Sequence, residues 1–296
     1  KINKMSYLYQ YDQPGVRIEN IKEINGYSYV LGWEYNNNQT PKVNLYVSKI
    51  DSSGNQVWQK RFKYPDAVNS GSVKIHFEDI TEASSKELLL LAYDDVQALI
   101  LKIDDDGNLI WVKKYYDKNN TQLYYNRLSF RPRLHTLSEE YSILVVQDIH
   151  SYNGGVRRLD YRFIKFQNDN GNFVDNKILE TTNPKIIIRD QQSFKETIVL
   201  AGSDGKNICI FYVDINLRLS NTYKFNLGKS NSKRNYLHLF RLSSIKEGKF
   251  SAMGGYWSDQ GNYIFVMNFD FYGLKATNSI NISDKPWSQI AQDIEN

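Results

Sequence analysis

The chain has 296 residues, 41% of them hydrophobic and 24% charged, an ordinary globular composition. Its net charge of +4 comes from basic residues spread along the chain, so no run of like charge forms a nucleic-acid arm. The single cysteine, Cys209, excludes an internal disulfide framework, and no apolar run approaches the ~18 residues of a membrane span.

In chain order, Lys4–Tyr11 reads as an outer β-strand with no partner before it. Val16–Ile21 reads as an inner strand, Tyr27–Gly32 as an apolar strand, and Leu45–Asp51 as a strand that ends in a turn at Gly54. A more polar strand, Asn55–Phe62, closes this first unit, and its alternation fits a strand half open to water. The same order then recurs. Ile75–Ile80 aligns with Val16–Ile21, Glu87–Tyr93 is the second apolar run, and Ala98–Asp104 leads to a turn at Gly107. Lys49-Ile50-Asp51, Gly54-Asn55 and Trp58 match Lys102-Ile103-Asp104, Gly107-Asn108 and Trp111 in one register.

Weaker copies follow. Phe163–Val174 keeps the turn at Gly171 with Asn168 in place of Asp, Phe211–Leu219 keeps Asp214 but has Leu217 in place of Gly, and Val266–Lys275 carries both Asp270 and Gly273. The Asx side chain can bond backbone two residues on, and Gly accepts positive φ in a short hairpin. Positive φ is therefore expected at Gly54, Gly107, Gly171 and Gly273, with a different or longer turn at Leu217. Cys209, inside the apolar run Ile208–Val213, reads as a buried thiol.

Repeats of about fifty residues, each with four short strands and no helical period, cannot bury their faces alone and must stack. The fold class is all-β, a β-propeller of four-stranded antiparallel blades, with five blades favoured and six possible. One domain over 1–296 is expected, with blades near 12–64, 65–118, 119–182, 183–228 and 229–283. Segments 1–11 and 284–296 would close the ring or belong to a truncated blade.

The repeats resemble those of bacterial secreted and envelope β-propellers, in which a strand ends in a Lys-Ile/Leu-Asp-x-x-Gly-Asn-x-x-Trp turn. They are distantly similar to quinoprotein-type propeller repeats, although Asp51 to Gly54 is one residue shorter and only Trp58 and Trp111 keep the tryptophan. Asp105-Asp106-Gly107 also approaches the sialidase Asp-box, but Trp111 falls one residue late. The resemblance implies export to the bacterial surface or medium. It does not imply a cofactor.

Loops and strand starts near a propeller axis are where ligands bind. Arg17, His76, Arg131, Arg133, Arg189, His238 and Arg241 lie at or near inner-strand starts, where convergent cations would hold a carboxylate or sulfate. Arg17, His76 and His238 align. Pairing with Glu19, Glu78, Asp79 and Asp190 would instead make these cations structural, and the same four carboxylates are the only ones positioned for glycoside hydrolysis. Aromatic loops at Trp33 and Tyr35, Tyr152, and Tyr256 and Trp257 are candidates for glycan or protein contact. No metal-ligand spacing, phosphate loop or nucleophile elbow is present, and no metal or cofactor is expected. The leading reading is a non-catalytic binding or scaffold propeller that contacts protein or carbohydrate, with no nucleic acid and no membrane span. The alternative is a glycan-processing hydrolase.

Overall fold

The computed structural model describes residues 16–35, 43–63, 76–84, 86–93, 98–115, 132–151, 157–179, 186–204, 207–226, 236–246, 248–258, 261–271 and 281–282. They form five four-stranded antiparallel meanders. The first sheet is β1 (Val16–Ile24), β2 (Tyr27–Tyr35), β3 (Val43–Ile50) and β4 (Gln56–Lys63). The second is β5 (His76–Ser84), β6 (Glu87–Tyr93), β7 (Ala98–Asp104) and β8 (Leu109–Tyr115). The third is β9 (Arg133–Thr136), β10 (Tyr141–Ser151), β11 (Arg157–Gln167) and β12 (Phe173–Leu179). The fourth is β13 (Ile187–Phe194), β14 (Thr197–Ser203), β15 (Asn207–Asp214) and β16 (Leu219–Asn226). The fifth is β17 (Tyr236–Lys246), β18 (Lys249–Ser258), β19 (Gly261–Asp270) and β20 (Asn281–Ile282). The terminal segments 1–11 and 284–296, and Gly273, lie outside the described residues.

Two compact units divide the chain. Unit 1 is Lys1–Tyr124, Pro132–Ser142 and Phe166–Val174, and unit 2 is Tyr125–Arg131, Ile143–Lys165 and Asp175–Asn296. In unit 1 the second apolar strand of one sheet packs on the next, with Tyr29, Leu31, Leu45 and Val47 against Phe77, Ile80, Leu88 and Leu90. Strands β6 and β7 are buried on both faces, which is why they read as unbroken apolar runs. In unit 2 the equivalent core joins Val199, Ala201, Ile208 and Ile210 to Leu242, Phe250 and Phe265. Cys209, between Ile208 and Ile210 on β15, is also buried, and desolvation pushes its thiol up to about 11.

The repeated hairpin turn is held by its Asp. Asp51 Oδ1 accepts from Ser53 N at 2.9 Å and Asn55 N at 2.8 Å, while Asn55 Nδ2 donates to Asp51 Oδ2 at 3.1 Å. Asp104 and Asn108 repeat this arrangement. The Asn bonds, backbone first, hold both exposed carboxyls below their usual range. Gly54, Gly107 and Gly171 have φ of 90°, 77° and 68°. Two expectations are corrected. Leu217, at φ 58°, adopts the left-handed conformation in the same turn, with Asp214 Oδ1 accepting from Asn216 N and Arg218 N. The third turn is one residue longer, running from Gln167 to Asn172, so Asn168 does not replace the turn Asp.

Trp58 and Trp111 occupy equivalent register positions, opposite Lys49 and Lys102. Their function in the fold is to fasten one blade to the next. Trp58 Nε1 donates to Asp105 O at 2.8 Å, and Lys60 Nζ donates to Asn108 Oδ1 at 3.1 Å. One blade further on, Trp111 Nε1 donates to Asn168 O at 3.2 Å and Lys113 Nζ to Asn172 Oδ1 at 3.4 Å. The turn glycine lies beneath this clasp. A Cβ on Gly107 would meet Lys60 Cγ at 2.9 Å, and one on Gly171 would meet Lys113 Cγ at 2.7 Å and Trp111 Cζ3 at 2.9 Å. Beneath the first clasp the buried Lys49 ammonium pairs with Asp105 and lies 4.2 Å from the centre of the Tyr27 ring. Burial alone would lower Lys49, but Asp105 and Tyr29 outweigh it and raise it.

Four inner strands, β1, β5, β13 and β17, carry a β-bulge at the same place, between Ile18 and Asn20, Phe77 and Asp79, Ile188 and Asp190, and Leu239 and Arg241. The strand opposite comes very close to the bulge. A Cβ on Gly32 would meet Arg17 O at 2.3 Å, and one on Gly202 would meet Ile187 O at 2.5 Å. The residue after the bulge then reaches the next inner strand. Asn20 Nδ2 donates to Glu78 O at 2.6 Å, Asp79 Oδ2 accepts from Leu134 N at 3.2 Å, and Asp190 Oδ2 accepts from Leu242 N at 2.9 Å.

Two stability outcomes follow from these contacts. Trp58→Ala should cost about 3 kcal/mol, the low end for a large aromatic because the ring is half-buried. Gly107→Ala should cost at least the ~1–2 kcal/mol of the left-handed backbone. The two losses should fall short of additive in the double variant by about 1 kcal/mol, because each removes the same contact; strict additivity in denaturant melts would refute the clasp. Leu217→Gly relieves the backbone but removes a side chain that is only 6% exposed. Burial wins at about 2–5 kcal/mol against ~1–2, so Leu217→Gly should lower the melting temperature.

Candidate functional site

In unit 1 the starts of β1 and β5 bring together Arg17, Glu19, Trp33, His76, Glu78 and Tyr93. Arg17 and His76 are register equivalents, opposite Trp33 and Tyr93. Each lies against its aromatic partner. The exposed Arg17 guanidinium carbon is 5.8 Å from the centre of the Trp33 ring, and the His76 and Tyr93 ring centres are 5.0 Å apart. Trp33, expected in a loop, lies inside β2, and its indole N–H donates to Glu19 Oε1 at 3.1 Å. The ring is therefore fixed before any ligand arrives.

Glu19, at the bulge, organises this cluster. Its Oε2 accepts from Phe77 N at 3.1 Å and lies 3.1 Å from His76 Nδ1. Desolvation pushes the carboxyl up, but His76, Trp33 and Phe77 N outweigh it and hold Glu19 below its usual range. The equivalent Glu78 is buried, with Tyr93 Oη donating to its Oε2 at 3.4 Å. Asp79 is engaged at both oxygens. Ile80 N at 2.9 Å and Lys22 Nζ at 3.0 Å donate to Oδ1, while Leu134 N donates to Oδ2, 4.0 Å from Arg133 Nη1.

In unit 2 Arg189 stands at the bulge, two positions on from the alignment of Arg17 and His76, where Glu19 and Glu78 stand. Burial lowers its guanidinium, against the neighbouring Tyr161 hydroxyl, which itself is pushed up by burial and accepts from Ile188 N at 2.7 Å. His238 lies in β17 opposite Gly255, at the register position of Arg17 and His76. Tyr35 ends β2, and Tyr256 and Trp257 belong to β18, so these aromatics lie in strands and not in loops. Arg131 and Tyr152, and the side chains of His238, Tyr35, Tyr256 and Trp257, lie outside the described residues. Among the described residues no group of His, Cys, Asp and Glu could hold a metal ion. Sequence reasoning missed the bulge, and with it the role of Asn20, Asp79 and Asp190. Their alignment one residue after the bulge was the available signal.

Four-stranded meanders that begin at an inner strand, repeat one bulge and one outer hairpin, and pack face to face make this chain a β-propeller protein. No protein-family model matches the sequence, and no curated protein matches it. Several solved structures are similar over most of the chain. The polysaccharide lyase Uly1 is 11% identical, with a TM-score of 0.48, covering 86% of this chain and 57% of the lyase. The N-terminal domain of Nup159 is 12% identical, with a TM-score of 0.38 and 85% and 62% coverage. The β-propeller domain of the trilobed protease from Pyrococcus furiosus is 10% identical, with a TM-score of 0.37 and 86% and 81% coverage. This chain thus spans less than two thirds of the lyase and Nup159 chains.

The Glu19 cluster has a pH signature. A carboxyl held below its unfolded value contributes stability that is present above that value, near 4.3, and lost as pH falls through the folded value. Glu19→Gln should lower stability by about 1–3 kcal/mol at neutral pH and by progressively less below pH ~4, checked by urea melts from pH 3 to 7. A difference that stays constant with pH would show that Glu19 is not the charged acceptor of this cluster.

Proposed function

We propose that this chain is a non-catalytic binding propeller of a bacterial surface or secreted protein, and that it holds an acidic carbohydrate against Arg17, Trp33 and His76. One observation carries the reading. An exposed guanidinium rests on an indole whose orientation is fixed by Glu19, which presents a charge and an aromatic edge at little entropic cost. A sugar carboxylate or sulfate suits the cation by charge-assisted hydrogen bonding, and the ring suits the apolar face of a pyranose. The hydrolytic alternative is disfavoured by the use of its carboxylates. Glu19, Asp79 and Asp190 each accept a backbone N–H from the next inner strand, which leaves them unsuited to carry a proton to a leaving group.

Calorimetry with oligoglucuronate and with a neutral oligosaccharide of the same length tests this reading. The acidic sugar should bind more tightly, weaken as salt rises, and lose about tenfold in affinity on Arg17→Ala. Equal affinity of wild type and Arg17→Ala, or release of new reducing ends from the sugar, would refute it.

A further inference from the structure

The Glu19 carboxylate lies between two rings that belong to different blades. Its Oε1 accepts from Trp33 Nε1 at 3.1 Å and lies 3.2 Å from His76 Nδ1, and its Oε2 lies 3.1 Å from the same nitrogen. One oxygen therefore joins the indole on which Arg17 rests to an imidazole of the next blade. The pair is largely shielded from water, with the Glu19 and His76 side chains 11% and 12% exposed. A charge placed there is screened far less than one in open solvent, so it is felt at the Arg17 guanidinium and by any anion bound to it.

The described charges around His76 are in balance. From β1 it meets Glu19, and the same strand sets Arg17 against Trp33. From β6 the Tyr93 ring centre lies 5.0 Å away, and its hydroxyl donates to Glu78. Asp79, further along β5, is tied to Lys22 of β1 and lies 4.0 Å from Arg133 of β9. Strand β9, packed on β5, also carries the buried His135. Three cations, Arg17, Lys22 and Arg133, thus stand against three carboxyls, Glu19, Glu78 and Asp79. Protonation of His76 decides whether this cluster is neutral or carries a positive charge, and histidine is the side chain that ordinarily changes charge between pH 5 and 8.

From this geometry we infer that the Arg17 site takes up a proton at His76 when it binds an anionic sugar, so that acid strengthens the binding. The inference rests on the reading of Arg17 and Trp33 as an acidic-carbohydrate site. With His76 neutral, the Glu19 charge stands behind the indole and offsets part of the attraction of Arg17. With His76 protonated, a cation in direct contact neutralises Glu19, and the full attraction of Arg17 remains. The coupling is reciprocal: the protonation that tightens the sugar is itself favoured by the sugar. A neutral oligosaccharide has no charge to feel the change, so acid regulates the site and selects for acidic ligands at once.

Calorimetry with oligoglucuronate from pH 5.5 to 8.5 tests the coupling. Sugar carboxylates stay ionised throughout, above the carboxylate range of ~4. The affinity of wild type should fall about three- to tenfold from the acid to the alkaline end, the effect of one charge several ångströms away in a partly screened site. His76→Gln keeps a donor for Glu19 but cannot be protonated, so it should bind without pH dependence, at the affinity of wild type at pH 8.5. Wild-type titrations in buffers of different ionisation enthalpy, at the midpoint of the change, should show net proton uptake on binding, a readout that requires no variant. Equal wild-type affinity at both ends, a pH dependence that survives in His76→Gln, or binding without proton uptake would overturn the inference and leave the Arg17 reading in place. Oligoglucuronate that binds at no pH would defeat both.

Discussion

The grip of one outer strand on the next outer turn is the contact on which the rest of unit 1 depends. A four-stranded blade has two apolar faces and cannot stand alone, so the chain must specify how blades stack as well as how each one folds. Trp58 and Trp111 do this with an indole N–H to the neighbouring turn and a ring over its glycine, and Lys60 and Lys113 add a bond to the turn Asn. Glycine has two functions there. It accepts the left-handed backbone, and it leaves the space into which the lysine stem and the ring descend. The Lys-Ile-Asp strand end belongs to the same device. Its Asp shapes the turn, its Ile is core, and its Lys is buried, at Lys49 against Asp105 and at Lys102 against Glu87.

A second seam runs through the inner strands, and it bears on function. Close approach at Gly32 and Gly202 accompanies the bulge, which turns the following Asn or Asp towards the next blade. Carboxylates that accept backbone N–H groups in this way hold the architecture together. What remains to meet a ligand at the strand starts is the cation and the aromatic ring. Arg17 on Trp33 is the more open pair, while His76 on Tyr93 is drawn into the Glu19 cluster.

Much of the architecture was legible because repetition turns a weak local signal into a strong one. Two copies of Lys-Ile-Asp-x-x-Gly-Asn-x-x-Trp fix the register of β3, β4, β7 and β8, and the apolar runs at Tyr27–Gly32 and Glu87–Tyr93 lie within β2 and β6. Leu217 misled because positive φ is read from glycine, whereas here a buried side chain and the Asp214 bonds hold the same turn without one. Asn168 misled because an inserted residue moved it from the turn Asp position to that of the tryptophan acceptor. The site was less legible. The bulge shows in the sequence only through the Asn or Asp that follows it, so Arg189 was grouped with Arg17 although it stands where Glu19 and Glu78 do, and Asp79 was read as a candidate acid although it is a tie between blades.

The clasp is most directly tested by native-state hydrogen exchange of the second outer turn. Asp104 N and Gly107 N are bonded within that turn, to Asn108 O and Asp104 O, and Trp58 and Lys60 cover it from the preceding blade. Truncating Trp58 should lower protection at these amides while leaving Asp214 N and Leu217 N, in the fourth turn, at their wild-type rates. Unchanged protection at the second turn, or an equal loss at both turns, would contradict the claim that one outer strand secures the next.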